Sequence, residues 1–193
     1  MKLFLVIGPM FAGKSTFIFE KSKSLVKNEY LALKPSIDNR YGESEIITHN
    51  KEKIFAFNID SLVEFFTKIK INKYKNIFID EGQFFNDLER GIELLDKINY
   101  KGTVYVCGLS GDFQRKPIGQ INNLISRADD IKILKGKCFN CENDSCFSLK
   151  IDLSVSKQID VGGSDKYQPV CGSCYQHYQE VFSSQKILKI DLN

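Results

Sequence analysis

A glycine-rich segment that also carries a lysine and a serine lies near the start of the chain. Its residues fit the pattern G-x-x-x-x-G-K-[ST]; they are Gly8, Pro9, Met10, Phe11, Ala12, Gly13, Lys14 and Ser15. In such a segment, backbone N–H groups and a helix N-terminus hold the β-phosphate, the lysine reaches the β- and γ-phosphates, and the serine hydroxyl ligates Mg²⁺. This phosphate loop predicts that the chain binds a nucleoside triphosphate and uses it for phosphoryl transfer.

Two adjacent acids, Asp80 and Glu81, follow the apolar run Ile77-Phe78-Ile79. If that run is a buried strand, its carboxyl end opens into the ligand crevice of a parallel sheet. We expect Asp80 to hold Mg²⁺, directly or through water, and Glu81 to accept a proton as general base. The alternative is an ordinary strand-end turn with two solvated acids.

Four cysteines form two Cys-x-x-Cys pairs, Cys138 with Cys141 and Cys171 with Cys174. This pattern predicts a tetrahedral Zn²⁺ bound by four thiolates, and closed sites of this kind are usually structural. Cys146 could replace one ligand, although its spacing is poorer.

The remaining candidate side chains have simpler interpretations. Cys107 lies in an apolar run, where a free cysteine behaves as a small apolar residue. His49 and His177 are interpreted as local hydrogen-bonding residues rather than ligands or bases.

The elements that must position these residues alternate between strand and helix. The pattern predicts a mostly parallel sheet of the phosphate-loop NTPase type, an α/β fold. We expect an ATP-binding α/β domain over residues 1–135 and a small zinc-binding lobe over 136–193. Predicted elements are strands at Lys2 to Ile7, Tyr30 to Lys34, Asn76 to Asp80, Thr103 to Gly108 and Asp130 to Leu134, and helices at Ser15 to Lys27, Ile59 to Ile69, Leu88 to Ile98 and Gly119 to Ala128. The stretch Ser36 to Lys53 is polar and irregular and too long for a simple turn, so it is a candidate functional loop.

Composition narrows the functional classes. The 193 residues have a net charge of +3 and 42% apolar residues, with no apolar run of the roughly 20 residues that a membrane span requires. We therefore expect a cytoplasmic protein without a leader peptide that binds neither membrane nor nucleic acid. Only Arg40, Arg90, Arg115 and Arg127 are arginines. This scarcity disfavours an enzyme that must grip two phosphorylated substrates.

Four separated motifs together resemble the cytosolic, zinc-containing thymidine kinase family over nearly the whole chain. They are the phosphate loop with Thr16, then Asp80-Glu81-Gly82-Gln83-Phe84-Phe85, Phe113-Gln114-Arg115-Lys116-Pro117 and Gly162-Gly163-Ser164-Asp165-Lys166-Tyr167. The resemblance implies transfer of the γ-phosphoryl group of ATP to the 5′-hydroxyl of thymidine, and of deoxyuridine. It also implies a requirement for Mg²⁺, structural Zn²⁺, a homotetramer and inhibition by thymidine triphosphate.

The resemblance also assigns individual roles. Glu81 matches the catalytic base, and Asp38, Arg40 and Gln83 match the nucleotide site. Phe113 matches the aromatic residue that contacts the nucleoside, and Tyr167 matches a residue of the loop that closes over the base. From their positions in loops or just after predicted strands, Phe84, Phe85, Phe113 and Tyr167 could all stack on a flat base. A loop that closes over the base, here called the lasso, is matched by Gln158, Ile159, Asp160, Val161 and Gly162.

Departures from the family pattern leave the expected catalytic residues in place. Asn50 stands where Asp usually follows Thr-His, Ile118 replaces a Phe, and Ser148 and Lys150 replace the usual Thr and Arg. Two other classes stay open at this point: a nucleoside monophosphate kinase with a zinc-bearing lid, and a zinc-ribbon ATPase that binds nucleic acid.

Overall fold

The computed structural model describes residues 1–26, 28–38, 44–48, 50–152 and 157–190. The strands are β1 Lys2–Gly8, β2 Tyr30–Pro35, β3 Glu45–Ile47, β4 Lys53–Phe55, β5 Phe57–Ile59, β6 Asn76–Ile79, β7 Thr103–Leu109, β8 Asp130–Ile133, β9 Gly136–Lys137, β10 Asp144–Ser145, β11 Phe147–Lys150 and β12 Tyr167–Val170. The α-helices are α1 Lys14–Lys23, α2 Leu62–Lys68, α3 Leu88–Lys97 and α4 Gly172–Ile190; short 3-10 helices cover Ile71–Lys73, Gly82–Phe84 and Ile121–Arg127.

A parallel sheet is the centre of the molecule. Among the described residues, six strands pair in the order β5-β2-β6-β7-β1-β8, and every neighbouring pair is parallel. All strands therefore end at the same edge of the sheet, which is where an open α/β sheet binds its ligand. The α/β fold class predicted from the sequence is confirmed.

Alternating side chains divide the core between the two faces of the sheet. Leu5 and Ile7 of β1 belong to one buried cluster, together with residues of α2 and α3. Val6, between them, belongs to a second cluster with Ile18 of α1 and Ile54 of β4. Because successive side chains of a strand point to opposite faces, both faces are covered, and the strands are apolar throughout.

The segment that joins β2 to β5 is more ordered than predicted. Strands β3 and β4 form an antiparallel hairpin, and Ile46 and Ile54 from the two strands are buried in the core. The prediction of one irregular loop over Ser36 to Lys53 was therefore wrong for the part of that range that the structure describes.

The first half of the predicted helix Ile59 to Ile69 is also corrected. Ile59 ends strand β5 at the edge of the sheet, and α2 begins only at Leu62. Ser61 is the N-cap, since its hydroxyl accepts a hydrogen bond from the N–H of Glu64 at 3.1 Å. The Asp87 carboxylate accepts further bonds from the first N–H groups of the helix. These acceptors satisfy the open donors of the helix terminus and fix its start.

Three other predicted boundaries change by a few residues. Helix α1 ends at Lys23 rather than Lys27, and the predicted helix Gly119 to Ala128 is a 3-10 helix over Ile121–Arg127. The α4 helix was not predicted. Within the described part of the chain, no helix is both long and apolar enough to cross a membrane.

A small lobe follows β8. Its two strand pairs are antiparallel, β9 with β10 and β11 with β12, and α4 completes it. A third apolar cluster, which includes Leu149, Val170 and Tyr175, lies within this lobe. The lobe contacts the phosphate loop directly, because the N–H of Met10 donates to the Ser148 hydroxyl at 2.9 Å.

Candidate active site and zinc centre

The phosphate loop joins β1 to α1 at the carboxyl edge of the sheet. Its backbone enters the left-handed region at Gly13, where φ is 83°, a conformation that glycine adopts without strain. At Gly8, a Cβ atom would lie only 2.4 Å from the carbonyl oxygen of Leu134. Glycine is therefore required at both ends of the loop, one for its backbone angle and the other for close packing.

Lys14 is directed back over this loop. Its ammonium is buried and donates to the carbonyl oxygens of Pro9 at 2.7 Å and Gly8 at 3.3 Å. This places a positive charge beside backbone that can bind phosphate, as the motif predicts.

Ser15 and Asp80 meet across the sheet edge. The Ser15 hydroxyl donates to a carboxylate oxygen of Asp80 at 3.1 Å, although the two residues are far apart in sequence. Burial and the neighbouring Glu81 carboxylate raise the pKa of Asp80 to about 7, while the nearby Lys14 ammonium opposes the shift. A buried carboxylate beside a hydroxyl is an oxygen donor set that suits Mg²⁺, and the cation would stabilise the ionised acid.

Glu81 is held in an unusual backbone conformation. Its φ of 49° and ψ of 42° lie in the left-handed region, which non-glycine residues seldom adopt. The Gln83 amide donates to the Glu81 carboxylate at 2.6 Å, and its oxygen accepts from the N–H of Leu109 at 3.1 Å. Gln83 thus links the acid to the end of β7, and strain at such a position is commonly associated with function.

These groups border one large cavity of about 590 Å³. The predicted site residues that line it are Met10, Phe11, Gly13, Lys14, Ser15, Thr16, Asp38, Asp80, Glu81, Gln83, Phe84, Phe113, Gln158, Ile159, Asp160, Val161, Gly162 and Tyr167. Three phosphate-loop residues do not line the cavity: Gly8, Pro9 and Ala12. Three other residues considered from the sequence lie outside the described part of the chain: Asn39, Arg40 and His49. The structure therefore gathers the phosphate-binding, acidic and aromatic residues around one space.

One aromatic candidate does not belong to this group. Phe85 is only 1% exposed and is part of the main core cluster. Its predicted stacking on a base is wrong, because the 3-10 helix Gly82–Phe84 directs Phe84 to the cavity and leaves Phe85 facing the core.

The lasso closes one side of the cavity through specific bonds. The Gln158 amide donates to the Asp112 carboxylate at 2.8 Å and to the Pro117 carbonyl at 3.0 Å. The Tyr167 hydroxyl donates to the carbonyl of Asp160 at 2.8 Å. These bonds fix the lasso to the loop after β7 at one end and to β12 at the other.

Sequence reasoning missed several residues that line the same cavity. Lys34 is only 2% exposed and is the last residue but one of the apolar strand β2, and Thr48 follows β3. The signal for Lys34 was present, since a charged residue near the end of a buried strand is the feature that drew attention to Asp80. Thr48, Ile46 and Ile47 lie in the stretch Ser36 to Lys53, which was predicted to be a functional loop, but no signal singled out these residues within it.

The four predicted zinc ligands form a compact cluster. Cys138 and Cys141 lie between β9 and β10, while Cys171 precedes α4 and Cys174 lies in its first turn. The four Sγ atoms lie within 4.8 Å of one another, and Cys141 is 3.7 Å from both Cys171 and Cys174. A tetrahedral Zn²⁺ with bonds of about 2.3 Å places sulfurs about 3.8 Å apart, so the site fits the ion.

Ionisation is favoured at Cys138 and Cys171 of the cluster, whereas the pKa values of Cys141 and Cys174 are raised. Burial opposes ionisation of Cys138, but hydrogen bonds that include the N–H of Cys171, at 3.3 Å, lower its pKa to about 6. Cys146 is not part of the cluster, and Cys107 is buried in β7, where burial raises its pKa. The interpretation of Cys107 as a small apolar core residue is consistent with that position.

Comparison with known proteins agrees with this site. The family model described as thymidine kinase matches residues 1–175. The chain is 36% identical to thymidine kinase 1 of Dictyostelium discoideum over 96% of this chain and 82% of that protein. It is also 36% identical to the thymidine kinases of monkeypox virus and of vaccinia virus strain Western Reserve, over 89% of this chain and 94% of each relative. The chain belongs to the thymidine kinase family.

Proposed function

We propose that this chain is a thymidine kinase that transfers the γ-phosphoryl group of ATP to the 5′-hydroxyl of thymidine, and also of deoxyuridine. The observation that carries the proposal is the shared cavity. Lys14, Ser15, Asp80 and Glu81 line one part of it, and the lasso with its aromatic neighbours lines another. A phosphate donor and a flat, neutral acceptor can therefore be held in a single enclosed space.

The phosphate loop holds ATP in this account. Its backbone N–H groups and the start of α1 face the phosphates, and the Lys14 ammonium neutralises negative charge on them. Ser15 and Asp80 would hold Mg²⁺, whose role when bound is to neutralise charge on the β- and γ-phosphates. Asp38, Arg40 and Gln83 are further candidates for the nucleotide site, with Gln83 also fixing Glu81.

Glu81 acts as the general base that receives the proton of the 5′-hydroxyl. The short hydrogen bond from the Gln83 amide holds the Glu81 carboxylate at the edge of the sheet. The N–H of Glu81 donates to the carboxylate of the preceding residue, Asp80. For in-line transfer, the nucleoside must be bound so that its 5′-hydroxyl lies within hydrogen-bonding distance of the Glu81 carboxylate. The aromatic and lasso residues supply that position, and closure limits loss of ATP to water.

The base binds between the lasso and the aromatic side chains of Phe84, Phe113 and Tyr167. Phe113 and Tyr167 face each other at a ring-centroid distance of 6.5 Å and an interplanar angle of 49°. Planar bases stack well on such rings, and the main chain of the lasso can form hydrogen bonds with the edges of thymine. Specificity therefore depends on how the lasso is held.

The zinc has a structural role in the proposal. Its four cysteines join the start of the small lobe to α4, and the lasso lies between the two cysteine pairs in sequence. A closed set of four thiolates has no open position for substrate. We further propose a division into an ATP-binding domain over 1–135 and a zinc-binding lobe over 136–193, a homotetramer, feedback inhibition by thymidine triphosphate, no nucleic-acid or membrane binding, and a cytoplasmic location. The tetramer and the feedback inhibition are extended from the family, and the other proposals rest on the composition, charge and pattern of the sequence.

Product analysis tests the proposed activity. The zinc-loaded protein is incubated with Mg-ATP and thymidine, and the products are separated and identified by mass spectrometry. Formation of thymidine 5′-monophosphate together with ADP supports the proposal. The Lys14→Met variant, which removes the phosphate-binding ammonium, serves as the negative control. Absence of the monophosphate from the wild-type reaction would refute the assignment.

A further inference from the structure

We propose that Lys150 is a positioning residue for the nucleoside, because its buried ammonium joins the lasso to the two aromatic rings of the cavity. This inference rests on the proposed function and deepens it. Lys150 does not line the cavity itself; it lies behind the groups that do. Its effect on the substrate must therefore pass through those groups.

The first element is a buried ion pair. The side chain of Lys150 is 2% exposed, and its ammonium lies 2.6 Å from a carboxylate oxygen of Asp160, whose side chain is 11% exposed. Lys150 ends β11, and Asp160 belongs to the lasso. If the lasso opened, the Asp160 carboxylate would move away from the desolvated Lys150 ammonium. Breaking such a buried ion pair is strongly unfavourable. The pair therefore resists opening of the lasso.

The second element is a contact with both aromatic rings. The Lys150 ammonium lies 5.2 Å from the ring centroid of Phe113 and 5.8 Å from that of Tyr167. Both distances are within the range of a cation–π interaction, which is strongest where water is excluded. One buried charge therefore restrains the lasso and the two rings together.

Asp160 has a second lysine that provides a matched comparison. Lys166 lies 2.6 Å from the other carboxylate oxygen of Asp160, but its side chain is 27% exposed. Loss of this more exposed charge is compensated by water, whereas loss of the buried charge is not. Lys150 and Lys166 lie at the same distance from Asp160 and differ in burial. Burial therefore predicts that removing Lys150 weakens nucleoside binding more than removing Lys166 does.

The test compares Lys150→Met with Lys166→Met in the zinc-loaded enzyme. We expect Lys150→Met to raise KM for thymidine roughly 10-fold, because Asp160 loses its buried partner while keeping Lys166, and both rings lose their cation–π contact. The Kd for ATP should stay within about threefold of wild type, because the hydrogen bond from Met10 to Ser148 that joins this lobe to the phosphate loop is left intact. We expect Lys166→Met to raise KM much less, and Lys150→Arg to recover most of the thymidine affinity because it restores the charge.

A double-mutant cycle and hydrogen exchange complete the test. Asp160→Asn and Lys150→Met should have effects on KM that are not additive, since both remove one interaction. Amide exchange in the peptide that covers residues 157–163 should be faster in Lys150→Met than in Lys166→Met, without any substrate. Zinc content is measured for each variant; if Lys150→Met loses zinc, Asp160→Asn and Lys150→Arg provide the comparison.

Three kinetic or binding results would overturn the inference: equal effects of Lys150→Met and Lys166→Met on KM, additive effects in the cycle, or a parallel loss of ATP affinity. The exchange comparison does not depend on which nucleoside is bound. A wild-type enzyme that leaves thymidine unphosphorylated would refute the proposed function, while unchanged lasso exchange in Lys150→Met would refute only the role of Lys150.

Discussion

Replacement of Glu81 by Gln should remove catalysis while leaving ATP bound. Glutamine has nearly the same size as glutamate. The 2.6 Å hydrogen bond from Gln83 can therefore be kept in the variant, with the new amide at position 81 turned so that its oxygen accepts. The substituted side chain cannot accept the proton of the 5′-hydroxyl. General-base assistance contributes about 10²- to 10⁴-fold, and we expect kcat to fall by that factor, a barrier increase of about 3–5 kcal/mol.

ATP affinity should change little in this variant, because Lys14 and Ser15 supply the phosphate contacts and remain in place. Monophosphate formation is measured under single-turnover conditions with saturating Mg-ATP, and ATP binding is measured by calorimetry. The single-turnover rate isolates the chemical step from product release.

Glu45→Gln is the matched control for this experiment. Glu45 also lines the cavity, but its carboxylate pairs with Lys53 at 2.8 Å and its side chain is 39% exposed. We expect this variant to keep kcat within about threefold of wild type, since exposed pairs contribute little. A turnover of Glu81→Gln within tenfold of wild type would remove Glu81 from the mechanism.

Three further predictions address strain, charge and zinc. Glu81→Gly should abolish turnover but shift Tm by only a few degrees. Glycine relieves about 1 kcal/mol of left-handed backbone strain, which offsets the similar free energy lost with the hydrogen bond from Gln83. A large loss of Tm would show that the acid is needed for folding. In zinc-loaded protein without added Mg²⁺, Asp80→Asn should raise Tm at pH 8. The raised pKa of Asp80, about 7, means that its ionisation destabilises the folded protein progressively from about pH 4 to above pH 7. The Tm advantage of Asp80→Asn should therefore be larger at pH 8 than at pH 5, and equal differences at the two pH values would contradict this. Removal of zinc, or Cys171→Ser, should abolish thymidine binding before ATP binding is lost, measured by calorimetry for each ligand; unchanged thymidine affinity in zinc-free protein would contradict the structural role of the metal.

The position of the candidate site residues was predictable because it depends on short motifs with local geometry. The glycine pattern at Gly8 and Gly13 predicted the loop between β1 and α1, and the acids after a buried run predicted that Asp80 and Glu81 lie at the sheet edge. The cysteine spacing predicted the cluster of four cysteines. In each case a few neighbouring residues determine both the backbone and the ligand chemistry.

Features that depend on distant contacts were not predictable in this way. The pattern of Phe57–Ile59 does not distinguish an edge strand from the start of a helix, and pairing with β2 decides it. The hairpin β3–β4 is likewise fixed by burial of Ile46 and Ile54 against α1 and the sheet. Phe85 was misassigned because neighbouring Phe84 and Phe85 look equivalent until the 3-10 helix separates them.

The buried lysines show the same limit. Lys34 and Lys150 both follow apolar residues at strand ends, where a lysine usually reaches solvent. Their burial depends on what other elements place around them: the cavity wall for Lys34, and the lasso with two aromatic rings for Lys150. No local sequence pattern records these neighbours.

The most direct test of the account is phosphoryl transfer to a panel of nucleosides and nucleoside monophosphates at matched concentrations with Mg-ATP, in which both phosphorylated product and free phosphate are measured. The account predicts thymidine 5′-monophosphate as the main product, a smaller yield from deoxyuridine, and little free phosphate. Transfer only to monophosphates, or release of free phosphate without a phosphorylated acceptor, would contradict it.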